Sequence, residues 1–200
     1  MRRVGIYIFD DVEVLDFAGP FEAFSVASRV SARLGTHALP PFEVFTVAAS
    51  GGPVTARGGL VVSPAYSFSD HPPIDVLIVP GGVMDAELLR SEVVEWITMR
   101  SRDAELTASV CTGAFLLGRA GLLGGKTVTT HWEDAGDLRA ALPDSDVVEG
   151  VKWVDEGDVV TAAGISAGID MCLHLVSRFL GQGMAAATAR QMDYPWEADS

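Results

Sequence analysis

The sequence predicts an α/β fold in which a parallel sheet is covered by helices on both faces. Three observations carry this reading. Short, uninterrupted apolar runs such as residues 4–9 (VGIYIF) and 75–79 (DVLIV) have the character of strands buried on both sides. Segments with apolar residues at helical spacing alternate with them along the chain. Several of these strands end in glycine, cysteine or histidine, and in open sheets ligands bind outside the carboxyl ends of the strands. The 200 residues are expected to form a single domain spanning 1–200, long enough to hold a core without disulfides or metal.

The elements follow in order. Residues 4–9 read as the first strand. Residues 20–30 read as a helix, with Phe21, Phe24, Val26, Ala27 and Val30 on one face. Pro20 would then occupy the first turn, where a missing N–H costs nothing. Residues 42–48 read as a strand, and 51–63 as two short strands around a glycine turn. The strand 75–79 stops at Pro80-Gly81-Gly82, and 91–102 is an amphipathic helix using Val93, Val94, Trp96 and Ile97. Residues 105–110 form a strand that runs straight into Cys111, and the apolar helix 112–120 stops at Gly121. The β-branched run 127–130 ends at His131, residues 133–142 are helical, and 147–154 and 158–162 read as strands. A helix over 166–180 carries Ile169, Cys172, Leu173, Val176 and Leu180 on one stripe, and a short helix covers 184–192. The glycine pairs at 51–52, 58–59 and 81–82 match neither a dinucleotide nor a phosphate-loop pattern.

Composition excludes several functions. Hydrophobic residues make up 48% and charged residues 20%, which excludes a disordered or fibrous chain. Fourteen basic against 27 acidic residues give a net charge of −13 with no Lys/Arg cluster, so neither nucleic acid nor an anionic membrane is an expected partner. The apolar run near the start is too short for a signal peptide, and the stretch 159–180 is interrupted by Asp170, His174 and Arg178. The two cysteines form neither a disulfide framework nor a zinc motif, so a reducing cytoplasm is the expected compartment, with no metal or organic cofactor.

Cys111 is the sharpest chemical signal. In SVCTGAF it stands at a strand-to-helix turn with small Ser109 and Gly113 on either side, the layout of a nucleophile elbow. A helix N-terminus favours a thiolate, so the thiol is expected to be shifted down; the other reading is a buried core thiol. Cys172, on an apolar stripe, reads as core. Asp16, between Leu15 and Phe17 on the loop after the first strand, reads either as a helix-capping carboxylate or as an acid whose apolar surroundings raise its pKa. Asp10, Asp11 and Glu13 read as a solvated acidic loop. Gly81 and Gly82 have backbone N–H groups suited to an oxyanion hole, or mark a turn that needs positive φ. His131 is a candidate partner for Cys111, or a histidine bonded to backbone. The row Asp170, His174, Arg178 reads as a structural ion-pair stripe.

The segments VGIYIFDDVEVLDFAGPFEAF, DVLIVPGG, ASVCTGAFLLGRAGLLGGKTVTTHW and TAAGISAGIDMCLHLV resemble the ThiJ/PfpI superfamily, the class I glutamine amidotransferase-like group that includes the parkinsonism-associated deglycase. The resemblance covers nearly the whole chain. It implies a flavodoxin-like three-layer α/β/α sandwich with a mostly parallel sheet, commonly a homodimer. It also implies an acid, here Asp16, set against the elbow Cys111. In the PfpI-type proteases a His follows the Cys, where this sequence has Thr112; in deglycase-like members the acid is Glu. The combination of Asp16, Cys111, Thr112 and LDFAGPFEAF is more similar to the isonitrile hydratases, whose Tyr/Pro/Phe-rich tail is loosely matched by MDYPWEADS. It is also similar to the sensor half of certain AraC-type regulators, which need a helix-turn-helix region beyond the last helix; the sequence leads us to expect none here. The resemblance thus implies a cysteine-dependent lyase that hydrates an isonitrile to an N-substituted formamide, with Cys111 attacking, Asp16 moving the proton and Thr112 orienting water or substrate. A glyoxalase-type hydratase or deglycase and a non-catalytic sensor or redox-stress domain are the alternatives it implies.

Overall fold

The computed structural model describes residues 1–197; the last three residues of the MDYPWEADS tail lie outside the described residues. The strands are β1 (Arg2–Tyr7), β2 (Phe42–Ala48), β3 (Val54–Thr55), β4 (Val61–Val62), β5 (Tyr66–Ser67), β6 (Val76–Val79), β7 (Leu106–Val110), β8 (Thr127–Val128), β9 (Asp146–Val147), β10 (Trp153–Asp155) and β11 (Val159–Ala162). The helices are α1 (Val14–Leu34), α2 (Ser91–Asp103), α3 (Gly113–Arg119), α4 (Ala135–Ala141), α5 (Ala167–Leu180) and α6 (Gln182–Gln191). Seven strands form the central sheet in the order β10-β11-β7-β6-β1-β2-β5. Every pairing is parallel except β10 with β11, which is antiparallel. Helices α1, α5 and α6 pack together, as do α2, α3 and α4, giving a flavodoxin-like α/β sandwich. The central strands β6 and β7 are buried at every residue, as their unbroken apolar character requires.

Three expectations are corrected. The first helix starts at Val14, not at residue 20, so Pro20 lies inside it and Asp16 sits in its first turn rather than on a loop. An interior proline costs about 3 kcal/mol. Burial of Phe17, Ala23, Phe24, Ala27 and Val30 along α1 outweighs that, at roughly 1.5–3 kcal/mol for each large side chain. The β-branched run 127–130 does not join the central sheet: β8 pairs in parallel with β9 as a separate two-stranded sheet. The edge next to β11 is already taken by β10. The run 147–154 is divided between β9 and β10 because Gly150 turns the chain with φ 76°. Among the described residues no helix is long and apolar enough to cross a membrane.

Candidate active site

The parallel sheet delivers β1, β6, β7 and β11 to one edge, and the turn after β7 is its focus. Cys111 has φ 56°, a left-handed conformation that a side chain with a Cβ adopts only under constraint. The constraint is visible. The Cys111 N–H donates to the carbonyls of Ala162 and Ala163 at 3.1 and 3.2 Å, and its own carbonyl accepts the Thr130 hydroxyl at 2.8 Å. A Cβ on Gly113 would lie 2.1 Å from the Val79 carbonyl oxygen, so only glycine lets α3 start this close to β6. A Cβ on Gly81 would lie 2.6 Å from the Thr112 nitrogen and 2.9 Å from the Cys111 Cβ. Small residues around the cysteine are thus a packing requirement of the turn.

Asp16 is fully buried. Its Oδ2 accepts the Gly81 N–H at 3.0 Å, and its Oδ1 is buried with no hydrogen-bond partner. Burial is the main reason its pKa is raised to about 7; the Gly81 hydrogen bond opposes this, and the nearby Glu13 charge adds to it. The Cys111 thiol lies within hydrogen-bonding reach of the same carboxyl. Burial and then the Asp16 charge push that thiol up to about 12, against the Thr112 N–H, which lowers it. This corrects the expected thiolate. Helix α3 has only seven residues, and its N-terminus does not offset burial beside an acid. Well above pH 7 the pair carries one proton and one negative charge, and well below it Asp16 and Cys111 are both protonated and neutral.

The neighbouring residues hold this pair. Thr112 Oγ1 accepts the Gly82 N–H at 2.9 Å and donates to the Gly82 carbonyl at 3.0 Å. The Gly81 and Gly82 N–H groups, expected to face an oxyanion, are therefore engaged by Asp16 and Thr112. The Thr112 hydroxyl, expected to orient water or substrate, bridges the Gly82 N–H and carbonyl, and both it and the Thr112 N–H also act on the Cys111 sulfur, lowering its thiol. His131 lies against Gly164, whose Cβ position would fall 2.1 Å from the His131 Cδ2, and its Nδ1 is 3.3 Å from Asp134 Oδ2. Cys172 is fully buried in α5, and burial alone raises its thiol. Asp155 takes His174 at 2.7 Å and Arg178 at 3.0 Å, whereas Asp170 turns to Lys152 at 3.0 Å and the Tyr194 hydroxyl at 2.6 Å. The anticipated stripe is thus two separate polar clusters. In the acidic loop, Asp10 caps the Thr55 N–H at 2.7 Å and Glu13 pairs with Arg57 at 3.3 Å.

Two contributors escaped the sequence reading: Thr130, which fixes the Cys111 carbonyl, and Asp134, whose charge raises the Cys111 thiol. Only their place beside His131 in TTHWED hinted at them.

This geometry predicts selective labelling. Iodoacetamide at pH 8 is expected to alkylate Cys111 at least about tenfold faster than Cys172 in the native protein. The Cys111 rate should rise steadily with pH as the thiolate fraction of a thiol held up by burial and by the Asp16 charge grows. Peptide mapping checks this, and equal labelling of the two cysteines would contradict the elbow assignment.

A flavodoxin-like sheet carrying a cysteine on a strained turn, with a buried acid against it, defines the class. The chain belongs to the DJ-1/PfpI family, whose model matches residues 2–178. It is 34% identical over 195 residues to the isonitrile hydratase of Pseudomonas putida, covering 96% of this chain and 78% of that protein. It is 28% identical over 193 residues to an HTH-type transcriptional regulator of Pseudomonas aeruginosa; that match covers 96% of this chain and 51% of the regulator, so the chain spans about half the regulator's length. Among solved structures, a ThiJ/PfpI family protein from Pseudomonas syringae superposes with a TM-score of 0.81 at 29% identity, covering all of this chain and 79% of that one.

Proposed function

We propose that this protein is an isonitrile hydratase-like lyase that converts a small isonitrile and water into an N-substituted formamide. The observation that carries the reading is the fully buried Asp16 carboxyl, one oxygen of which takes no hydrogen bond, within reach of the Cys111 thiol. An isonitrile carbon must accept both a nucleophile and a proton. In the first step the Cys111 sulfur bonds to that carbon while the pair's proton, delivered by Asp16, forms its C–H bond. The product is a thioimidate, S–CH=N–R, and Asp16 is left as a carboxylate. In the second step Asp16 takes a proton from water as its oxygen adds to the same carbon. Collapse of the adduct breaks the C–S bond, and protons return to nitrogen and to the Asp16–Cys111 pair. The sum is R–NC plus water to R–NH–CHO, with no redox change and no cofactor required.

The 34% identity to an isonitrile hydratase supports this over the other chemistries of the family. The regulator relative supports a second reading, in which the same pocket senses a small molecule without turning it over. Incubation of purified protein with n-butyl isonitrile separates them: N-butylformamide is expected, and saturable binding without product would favour the sensor. We also propose a cytoplasmic homodimer acting on a small molecule rather than on nucleic acid or membrane. Light scattering is expected to give twice the chain mass, and a monomer at micromolar concentration would contradict the dimer.

A further inference from the structure

Beside the elbow lies a cavity of about 290 Å³, into which Thr112 and Gly82 project from the site and which Met84, Leu88 and Phe115 line with apolar surface. Three carboxylates, Asp85, Asp134 and Asp137, complete its wall. Asp134 connects the two places, since it lines this cavity and its charge also acts on the Cys111 thiol. Asp134 is faced by His131 at 3.3 Å, while Asp85 and Asp137 take part in no ion pair among the described residues. A neighbouring hollow shares Leu88 and Phe115 with this cavity, and its one cationic lining residue, Arg119, also lines a further hollow with Glu95.

Resting on the hydratase reading, we propose that this cavity holds the N-substituent of the substrate and selects isonitriles whose substituent is apolar near the reacting carbon and positively charged a few bonds further out. The reasoning is electrostatic. A substituent that enters this cavity from the elbow packs against Met84, Leu88 and Phe115, which reward an alkyl or aryl segment. The wall of the same cavity carries Asp85 and Asp137, neither of them in an ion pair among the described residues, in a chain of net charge −13. A cation gains there, a neutral group is tolerated, and a carboxylate is repelled. With two acids at about 6 Å in a water-like medium the discrimination is about tenfold in each direction, and salt screens it.

The test has two arms. In the first, kcat/KM is measured for three isonitriles of equal length ending in trimethylammonium, methyl and carboxylate. The expected order follows that list, with about tenfold steps at about 20 mM salt that shrink at about 500 mM. In the second, Cys111 is modified by a cationic and an anionic ethyl methanethiosulfonate, each rate being divided by that of a free thiol in the same buffer. The cationic reagent should be favoured at least about tenfold, and the Asp85→Asn/Asp137→Asn double variant should bring the normalised ratio close to one. Equal kcat/KM for the three isonitriles, or a preference for the anionic reagent, would overturn the charge selection and leave the hydratase reading intact. A retained cationic preference at Cys111 with no turnover of any isonitrile would overturn the hydratase reading alone.

Discussion

Asp16→Asn is expected to lose about 10²–10⁴ in isonitrile turnover while keeping its fold and its thiol, because Asn fills the same space and still accepts the Gly81 N–H but moves no proton. The same substitution should stabilise the protein at pH 8. A carboxyl held at about 7 in the folded state, against about 4 when unfolded, adds stability that is complete below about pH 4 and lost as pH rises to about 7. Above that pH the wild type carries a buried charge that the variant lacks. The gain is on the order of 2–4 kcal/mol, or several degrees in Tm, and it should shrink as the pH falls toward 4. A helix-capping Asp16 would give the opposite pattern, with near-normal activity and no pH-dependent gain. Turnover assays and thermal melts at pH 5 and 8 decide between these two roles.

The second large effect is expected from Gly113→Ala. Alanine in place of helical glycine normally adds about 0.5–1 kcal/mol of stability. Here the new Cβ would sit 2.1 Å from the Val79 oxygen and 2.9 Å from the Pro80 oxygen, both backbone atoms of the neighbouring strand end. Relief requires α3 to move away from β6, and overpacking of this kind costs about 1–3 kcal/mol or more. A net loss of about 1–2 kcal/mol, or about 2–8 °C in Tm, is expected. Activity should fall further than stability, since any shift of α3 displaces the Cys111 turn two residues earlier. Gly124→Ala, with open space at its Cβ position, should change neither by much. A Gly113→Ala protein with wild-type Tm and turnover would show that the close approach of α3 to β6 is not needed.

The sheet was legible because β6 and β7 are buried on both faces and therefore carry unbroken apolar runs. The start of α1 was not, because Pro20 reads as a helix start, and the burial that lets α1 run through it comes from residues distant in sequence. The role of 127–130 was misread for a related reason: a β-branched run specifies extended backbone but not which sheet it joins. At the site, Cys111 and Asp16 were recognisable from their neighbours. Their protonation was not, because it depends on two buried groups brought together from residues 95 positions apart. The uses of the Gly81 and Gly82 N–H groups were hidden likewise, since their acceptors lie on α1 and at the start of α3.

The account stands most directly on Cys111 as the atom that bonds to the isonitrile carbon. Formamide production by the wild type and by Cys111→Ser is to be measured side by side, with acid-quenched mass spectrometry of the Cys111 peptide during turnover. The account predicts steady formamide release by the wild type, a Cys111 peptide heavier by the mass of one isonitrile, and loss of at least about 10³ in rate for Cys111→Ser. Formamide released by Cys111→Ser at the wild-type rate, with Cys111 never carrying the added mass, would contradict it.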